Sequence, residues 1–318
     1  MRVVVDARAL SDPALAERGI GRYVRCLLDA LGDRVVPLRR PGRPLVLGVR
    51  RARADVLHTP SIDGVSLVPG APLVVTLHDL VPLKHPRTYL RTGLRHRVRY
   101  AAVKRAARVI VPTQAVAADA ERLLGIPSAR LRVIHEAPAP AFRPGVAPPA
   151  RLRLPERFLL WVGGLDPPDP RKRVEQLAAA VRRRDGLPLV LAGRVGPDAP
   201  ALAAPGRVFL VGRVSDEELA GLYGAAAALV LPSAEEGFGL PAVEALACGT
   251  PVAAFSGGAL GEVLAGAGGA RLVDPGEGID GLLDAAEALA GTAATPPQRT
   301  WADVAEETWA VYGEVAGA

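Results

Sequence analysis

Cysteine is nearly absent from this sequence, with Cys26 and Cys248 the two examples in 318 residues. They lie far apart and neither has a second ligand at metal spacing. That argues against a disulfide framework or a thiolate metal site and leaves two small buried hydrophobes. Aromatic residues amount to 4%, too few to supply the stacking platforms of a basic nucleic-acid-binding surface, and no recognised module of that kind occurs. No apolar run approaches the ~20 residues that span a bilayer. The longest, such as Ala225–Leu231, has the length of a buried strand. Asp6 and Arg8 interrupt what would have to be the apolar stretch of a signal sequence, so the expected location is cytoplasmic.

What is present describes a globular protein. Hydrophobic residues make up 49% and charged residues 23%, and the length exceeds what one core usually supports, so two domains are expected. Thirty-four glycines and thirty prolines are spread as punctuation and not as a tract. The formal charge is +6, carried almost wholly by arginine. Such an excess suits an anionic ligand or surface without choosing between them.

Short apolar strands alternate with helical patterns through the first half: strands at Arg2–Asp6, Asp55–His58, Leu73–Leu77, Arg108–Val111 and Leu131–Ile134, helices at Gly21–Leu31, Thr88–Ala107 and Ala115–Leu124. Phe142–Ala150, with three prolines and a glycine, breaks the periodicity and reads as a linker. The alternation then restarts with strands at Phe158–Val162, Leu189–Ala192, Val208–Val211, Ala228–Leu231 and Pro251–Phe255. Ser215-Asp-Glu-Glu218 is a capping box opening a helix. A last helix, Thr300–Val315, carries Trp301, Trp309 and Tyr312. The expectation is an α/β protein of two Rossmann-like domains facing across a cleft: residues 1–147, with helix 300–318 packing back on them, and residues 148–299. Ligands in such folds sit at the carboxyl ends of the strands.

The densest run of chemistry is Ser233-Ala-Glu-Glu-Gly-Phe-Gly-Leu-Pro-Ala-Val-Glu244, directly after a strand. Pro241 suits a first helical turn. Gly237 and Gly239 allow a tight turn and close approach to a ligand. The amides of Phe238, Gly239 and Leu240 then stand at a helix N-terminus, suited to sugar hydroxyls or phosphate oxygens. Glu236 and Glu244 are carboxylates suited to paired hydroxyls. Arg171-Lys-Arg173 lies beyond a strand and opens a helix, where cations can meet a polyanion. His78 and Asp79 end the strand Leu73–Leu77.

Glu236-Gly-Phe-Gly-Leu-Pro-Ala-Val-Glu244 resembles the Glu-(seven residues)-Glu motif of the family 4 retaining glycosyltransferases of GT-B fold. Gly19-Ile-Gly-Arg-Tyr-Val24, Val75-Thr-Leu-His-Asp-Leu80, Arg108-Val-Ile-Val-Pro-Thr113 and Leu160-Trp-Val-Gly-Gly-Leu165 are similar to stretches of that family in the same order. The resemblance implies that Glu236 contacts donor-sugar hydroxyls, Glu244 the ribose, the amides after Gly237 the transferred sugar, and Lys172 the diphosphate. It implies a catalytic role for His78 beside the sugar, and approach of the Gly19–Gly21 loop to the phosphates. Where relatives carry an arginine shortly after the strand's glycine, this chain has Gly164, leaving Arg171 to take that role. Asp79 is left either to orient His78 or to cap the next turn of chain.

No Asp-x-Asp pair occurs, so metal-independent handling of the diphosphate by cations and helix ends is expected, with no cofactor beyond a nucleotide-diphosphate sugar such as GDP-mannose or a UDP-sugar. The transferred group would be of hexose type and the acceptor a glycan, lipid-linked or small molecule. The basic stretch Arg91, Arg95, Arg97, Arg99, Lys104, Arg105, Arg108 is either a solvated face or a peripheral contact with anionic membrane at its inner face. Rival readings are a GT-B nucleotide-sugar epimerase or phosphorylase, a nicotinamide-dependent dehydrogenase and, more remotely, a basic nucleic-acid-binding protein. Val24 standing at the third glycine's place counts against the dehydrogenase.

Overall fold

The structure, a computed structural model, describes residues 1–16, 19–39, 45–89 and 93–317, apart from the side chains at 13, 14 and 93–97. The chain divides into two compact units, Met1–Ala137 with Arg299–Ala318, and Pro138–Gln298.

The first unit holds β1 (Val3–Asp6), β2 (Val35–Leu38), β3 (Val56–Thr59), β4 (Leu73–Thr76), β5 (Arg108–Val111) and β6 (Leu131–Val133). They pair in parallel in the order β2-β1-β3-β4-β5-β6. β1, β3 and β4 are buried at every residue. This is why they read as continuous apolar runs: a parallel sheet is covered on both faces. Each buried valine or leucine contributes about 1.5–3 kcal/mol, so Val3–Val5 alone, all fully buried, commit the segment to the sheet. β2 was not expected, because Pro37 stands in it. It is an edge strand paired only through Val5↔Pro37 and its neighbours in register, where a missing N–H is tolerated.

The helix Trp301–Ala316 returns to this unit and packs on helix Gly19–Leu31, β3 and β5. Thr300 and Asp303 cap it reciprocally. Arg34 pairs with Glu306 and lies 4.2 Å over the Trp309 ring, and Arg108 and Arg132 both reach Glu314 at 2.8 and 2.6 Å.

The second unit holds β7 (Leu159–Val162), β8 (Leu189–Ala192), β9 (Val208–Gly212), β10 (Ala228–Leu231), β11 (Val252–Phe255) and β12 (Ala270–Val273), parallel and ordered β12-β11-β10-β7-β8-β9. Counted within the unit this is the doubly wound order 3-2-1-4-5-6, whose direction reverses between β7 and β10. Its core gathers Leu159, Trp161, Leu177, Leu191, Val230 and Phe255. The Ser215–Glu218 capping box forms as expected and starts helix Asp216–Ala225.

Two expectations need correction. The basic helix expected over Thr88–Ala107 forms as Pro86–Tyr89 and Gly93–Val103, with 90–92 outside the described residues and Lys104–Ala107 already past its end. The Phe142–Ala150 stretch belongs to the second unit and is packed on it: Phe142 sits edge-on to Tyr223 at 5.8 Å. A Cβ on Gly221 would come within 2.2 Å of the Ala147 carbonyl oxygen. Proline removes donors but leaves the chain free to lie extended along a helix, so composition alone mistook a packed strap for a spacer.

Candidate functional site

In the second unit the segments leaving β7 and β10 meet at the switch point. Beyond β7 the chain turns through Pro170–Lys172, capped by Asp169, whose Oδ1 accepts from the Arg171 amide (3.1 Å) while Oδ2 takes Arg171 Nε (2.8 Å). Beyond β10, the Ala234 amide donates to the Arg171 carbonyl (2.8 Å), and Arg171 Nη1 donates to the Glu235 carbonyl (3.2 Å). The two loops are thereby stitched together, and their charges converge on Glu236. Ser233 Oγ donates to its Oε1 (2.8 Å), Lys172 Nζ stands 3.4 Å from Oε1, and Arg171 Nη1 lies 3.8 Å from Oε2. Glu236, Arg171 and Lys172 are 13, 18 and 21% exposed, buried enough for their charges to act and open enough to meet a ligand.

Glycine is required around this cluster. Gly193 has φ +147°, and a Cβ there would strike the Gly163 carbonyl oxygen at 1.8 Å; the loops after β7 and β8 touch backbone to backbone. Gly239 is left-handed (φ +94°), and a Cβ would meet Leu260 at 2.5 Å. It precedes helix Leu240–Ala247, which has no side-chain cap; Pro241 has no N–H and the Ala242 amide donates to the Gly239 carbonyl oxygen (2.8 Å), so of the first turn the Leu240 amide has no intrahelical acceptor. The side chains of Phe238 and Leu240 pack with Val243 in a small apolar cluster. Gly237 stands between Glu236 and that turn.

Glu244 is fully buried, and its Oε2 accepts from Tyr223 Oη at 3.1 Å. Its carboxylate faces the interior of its unit in this conformation, unlike Glu236.

In the first unit His78 leaves β4 with both ring nitrogens engaged: Nδ1 is 3.1 Å from Glu136 Oε1 and Nε2 is 3.0 Å from the Pro60 carbonyl oxygen. Burial alone would lower the His78 pKa; the hydrogen bond and charge of Glu136 outweigh it and the net shift is upward. Asp79 does not orient this ring by hydrogen bond. Its Oδ1 accepts from the Val81 amide (3.1 Å) and caps the next turn. The orienting acid is Glu136, just past β6, which sequence reasoning missed. An acid just beyond an expected strand's carboxyl end was the available signal for a site residue, though not for its partner.

Behind His78 lies a buried polar chain. Tyr23 meets the imidazole edge-on at 4.7 Å and Trp301 at 5.4 Å. Tyr23 Oη and Thr76 Oγ1 are 3.2 Å apart, His58 Nε2 is 2.8 Å from Thr76 Oγ1, and His58 Nδ1 is 2.6 Å from Tyr312 Oη. Enclosure, aided by the charge of His78, pushes the His58 pKa down to about 3 and keeps that ring neutral.

Gly19 and Gly21 lie inside the first turn of helix Gly19–Leu31, not in a loop before it. A Cβ on Gly21 would come within 2.2 Å of the Ala16 carbonyl oxygen, so close backbone packing accounts for it. Of the basic stretch, Arg91 and the side chains of Arg95 and Arg97 fall outside the described residues. Arg99 pairs with Asp63 at 2.6 Å and Arg108 with Glu314, while Lys104 and Arg105 are exposed. A cavity of about 210 Å³ lined by Leu67, Pro69, Leu73, Ala102 and Arg105 sits at the amino end of β4. That is the wrong end of the strand for ligands of such sheets, so it is not part of this site.

Residues 1–137 match the family described as Glycosyltransferase Family 4, and residues 156–291 match the family described as Glycosyl transferases group 1. The chain belongs to the family 4, group 1 glycosyltransferases. Among the relatives of this glycosyltransferase-family chain is D-inositol 3-phosphate glycosyltransferase 2 of Catenulispora acidiphila, 33% identical over 70% of this chain and 59% of the relative. The D-inositol 3-phosphate glycosyltransferase of Mycobacterium tuberculosis is 35% identical over 60% of this chain and 43% of its own length. The chain thus spans about half the length of these curated relatives. Similar solved structures include the sucrose-phosphate synthase of Thermosynechococcus elongatus (TM-score 0.73, 24% identity, 99% of this chain and 96% of that one). Another is Anabaena HepE in complex with UDP and glucose (TM-score 0.69, 18% identity, 99% and 95%). At these identities the likeness is one of fold, and that fold is GT-B. Among the described residues no helix is long and apolar enough to cross a membrane.

Proposed function

We propose that this protein is a retaining glycosyltransferase that moves a hexose-type sugar from a nucleotide-diphosphate sugar to an acceptor hydroxyl without a metal ion. The observation that carries the reading is the convergence of Lys172, Arg171 and Ser233 on Glu236 at the β7/β10 switch point. The donor's diphosphate competes for the two cations, and Glu236, released from them, accepts from hydroxyls of the sugar. The backbone amides of Gly239 and Leu240, at the start of helix Leu240–Ala247, are suited to the sugar's oxygens. Glu244 turns toward the ribose only if its bond from Tyr223 yields.

In the transfer, the bond from the anomeric carbon to the β-phosphate oxygen breaks as the acceptor oxygen bonds to that carbon on the same face. The acceptor's proton passes to the departing phosphate, and charge growing there meets Lys172 and Arg171. His78 lies beside the reacting sugar in this reading. UDP, held in the HepE complex, and GDP are the first nucleotides to consider. The names of the inositol-phosphate relatives make a phosphorylated polyol the first acceptor to try. Exposed Lys104 and Arg105 are the described part of a face suited to anionic lipid.

A thermal-shift screen against UDP-, GDP- and ADP-sugars tests the reading, since a ligand at about 100 times its Kd stabilises the native state by about 2.7 kcal/mol. A rise with one nucleotide class and product formation in the presence of EDTA are expected. No shift with any member, or activity lost to EDTA and restored by a divalent ion, overturns the donor or the metal-free part respectively. Conversion of the donor alone, with no acceptor, would instead identify an epimerase.

A further inference from the structure

The Pro60 carbonyl oxygen can only accept, so the His78 Nε2 that faces it at 3.0 Å carries a hydrogen. The Glu136 carboxyl at 3.1 Å from Nδ1 leaves one further proton shared by the pair. An imidazole is about two pH units more basic than a carboxylate, so that proton rests on nitrogen. We propose that Glu136 is the positioning residue that holds His78 as an imidazolium with both N–H groups engaged, so that His78 serves transfer as a fixed positive charge and is unable to take the acceptor's proton. This rests on the reading that His78 lies beside the reacting sugar.

The surroundings agree. Glu136 is 4% exposed and His78 18%, so the pair is largely shielded from competing water. Four other groups bear on the ring: Asp79 on its own segment adds a favourable charge, Tyr23 from helix Gly19–Leu31 packs its edge against it, His58 on β3 is neutral, and Glu136 itself comes from the end of β6. No lone pair of the ring is left for a proton, which sends the acceptor's proton to the leaving phosphate oxygen and keeps the transfer step in balance. Asp79, spent on the Val81 amide, is not a substitute partner.

Long-range ¹H–¹⁵N spectra of the imidazole rings test this without any substrate. The chain has five histidines, and the signals lost in His78→Gln assign the ring. At pH 7.5 both His78 nitrogens should show protonated shifts, and its midpoint should lie above the ordinary histidine range. In Glu136→Gln, which keeps the shape and removes the charge, the ring should be neutral at pH 7.5, with the midpoint lower by at least one unit. Release of nucleoside diphosphate from UDP-glucose and GDP-mannose should then fail at lower pH than in the wild type, and Glu136→Asp should restore part of the range. If Glu136→Gln does not fold, Glu136→Asp carries the same spectroscopic test, its ring remaining charged. A bare nitrogen on the wild-type ring at pH 7.5, or a midpoint unmoved in Glu136→Gln, overturns the proposal. Wild-type rates in His78→Gln would instead remove His78 from the reaction, a failure seen in turnover and not in the ring spectra.

Discussion

Both units are six-stranded parallel sheets, yet they treat polar residues at their strand ends in opposite ways. At the β7/β10 switch point the charges are partly open: Glu236 is shared among Lys172, Arg171 and Ser233, and Arg171 is also held by Asp169, an arrangement in which a ligand of the proposed kind can exchange for Glu236. Behind His78 the polar groups are enclosed and satisfied in series from Tyr312 through His58 and Thr76 to Tyr23. Such a chain is costly to break and holds an orientation. The second unit is built to exchange partners, whereas the first is built to keep them. All five histidines lie in the first unit, so pH also acts on the two differently.

The largest effect expected is from Glu236→Ala, which should lower transfer by about 100- to 1,000-fold while leaving the thermal midpoint near that of the wild type. Wild-type turnover would erase the functional half of the contrast. Next comes acid. The folded His58 pKa of about 3 lies below its unfolded value, so the unfolded chain binds a proton that the native state refuses. Stability present above pH ~6.5 is lost as pH falls toward 3, at up to about 1.4 kcal/mol per pH unit. His78, shifted upward, has its contribution complete below pH ~6.5 and does not offset this. Denaturant unfolding between pH 6.5 and 4.5 should show the slope, and His58→Gln should flatten it; a flat wild-type profile would refute a neutral buried His58.

Tyr312→Phe leaves His58 Nδ1 without its partner and should cost about 1–3 kcal/mol. Hydrogen exchange should quicken in β3 and β4 and not in β7 to β12; uniform quickening would mean that the units do not differ in this respect. The smallest effect expected is from Lys172→Ala, a loss of about tenfold, or 1.4 kcal/mol, in affinity for the nucleoside diphosphate. Calorimetry with UDP and GDP would read it, and unchanged affinity would free Lys172 from the diphosphate.

The strands were legible where both faces are buried, as in β1, β4, β8 and β10, because burial demands an unbroken apolar run. Of the edge strands, β6 and β9 were expected, but β2, which carries Pro37, and β12, half-buried with Arg271 in it, were not, since an edge tolerates what a central strand rejects. At the site, Glu236 and its glycines stood out because one turn must hold them all within a few residues. Glu136 did not, because it meets His78 across 58 positions of chain, and no local pattern records such a meeting.

Local chemistry therefore determined a great deal: which segments become strands, where helices start, and that a Glu-Gly-Phe-Gly-Leu-Pro turn would present acid and amides together. Each of those depends on neighbours a few residues away, which the order of amino acids states directly. Tertiary structure alone decided that Lys172 and Arg171 reach Glu236, that Glu244 is enclosed beneath Tyr223, that Asp79 is a cap, and that His78 answers to Glu136. The first and last of these arise where separate strands end side by side in a sheet, and there it is the order of strands, not the order of residues, that sets who stands beside whom.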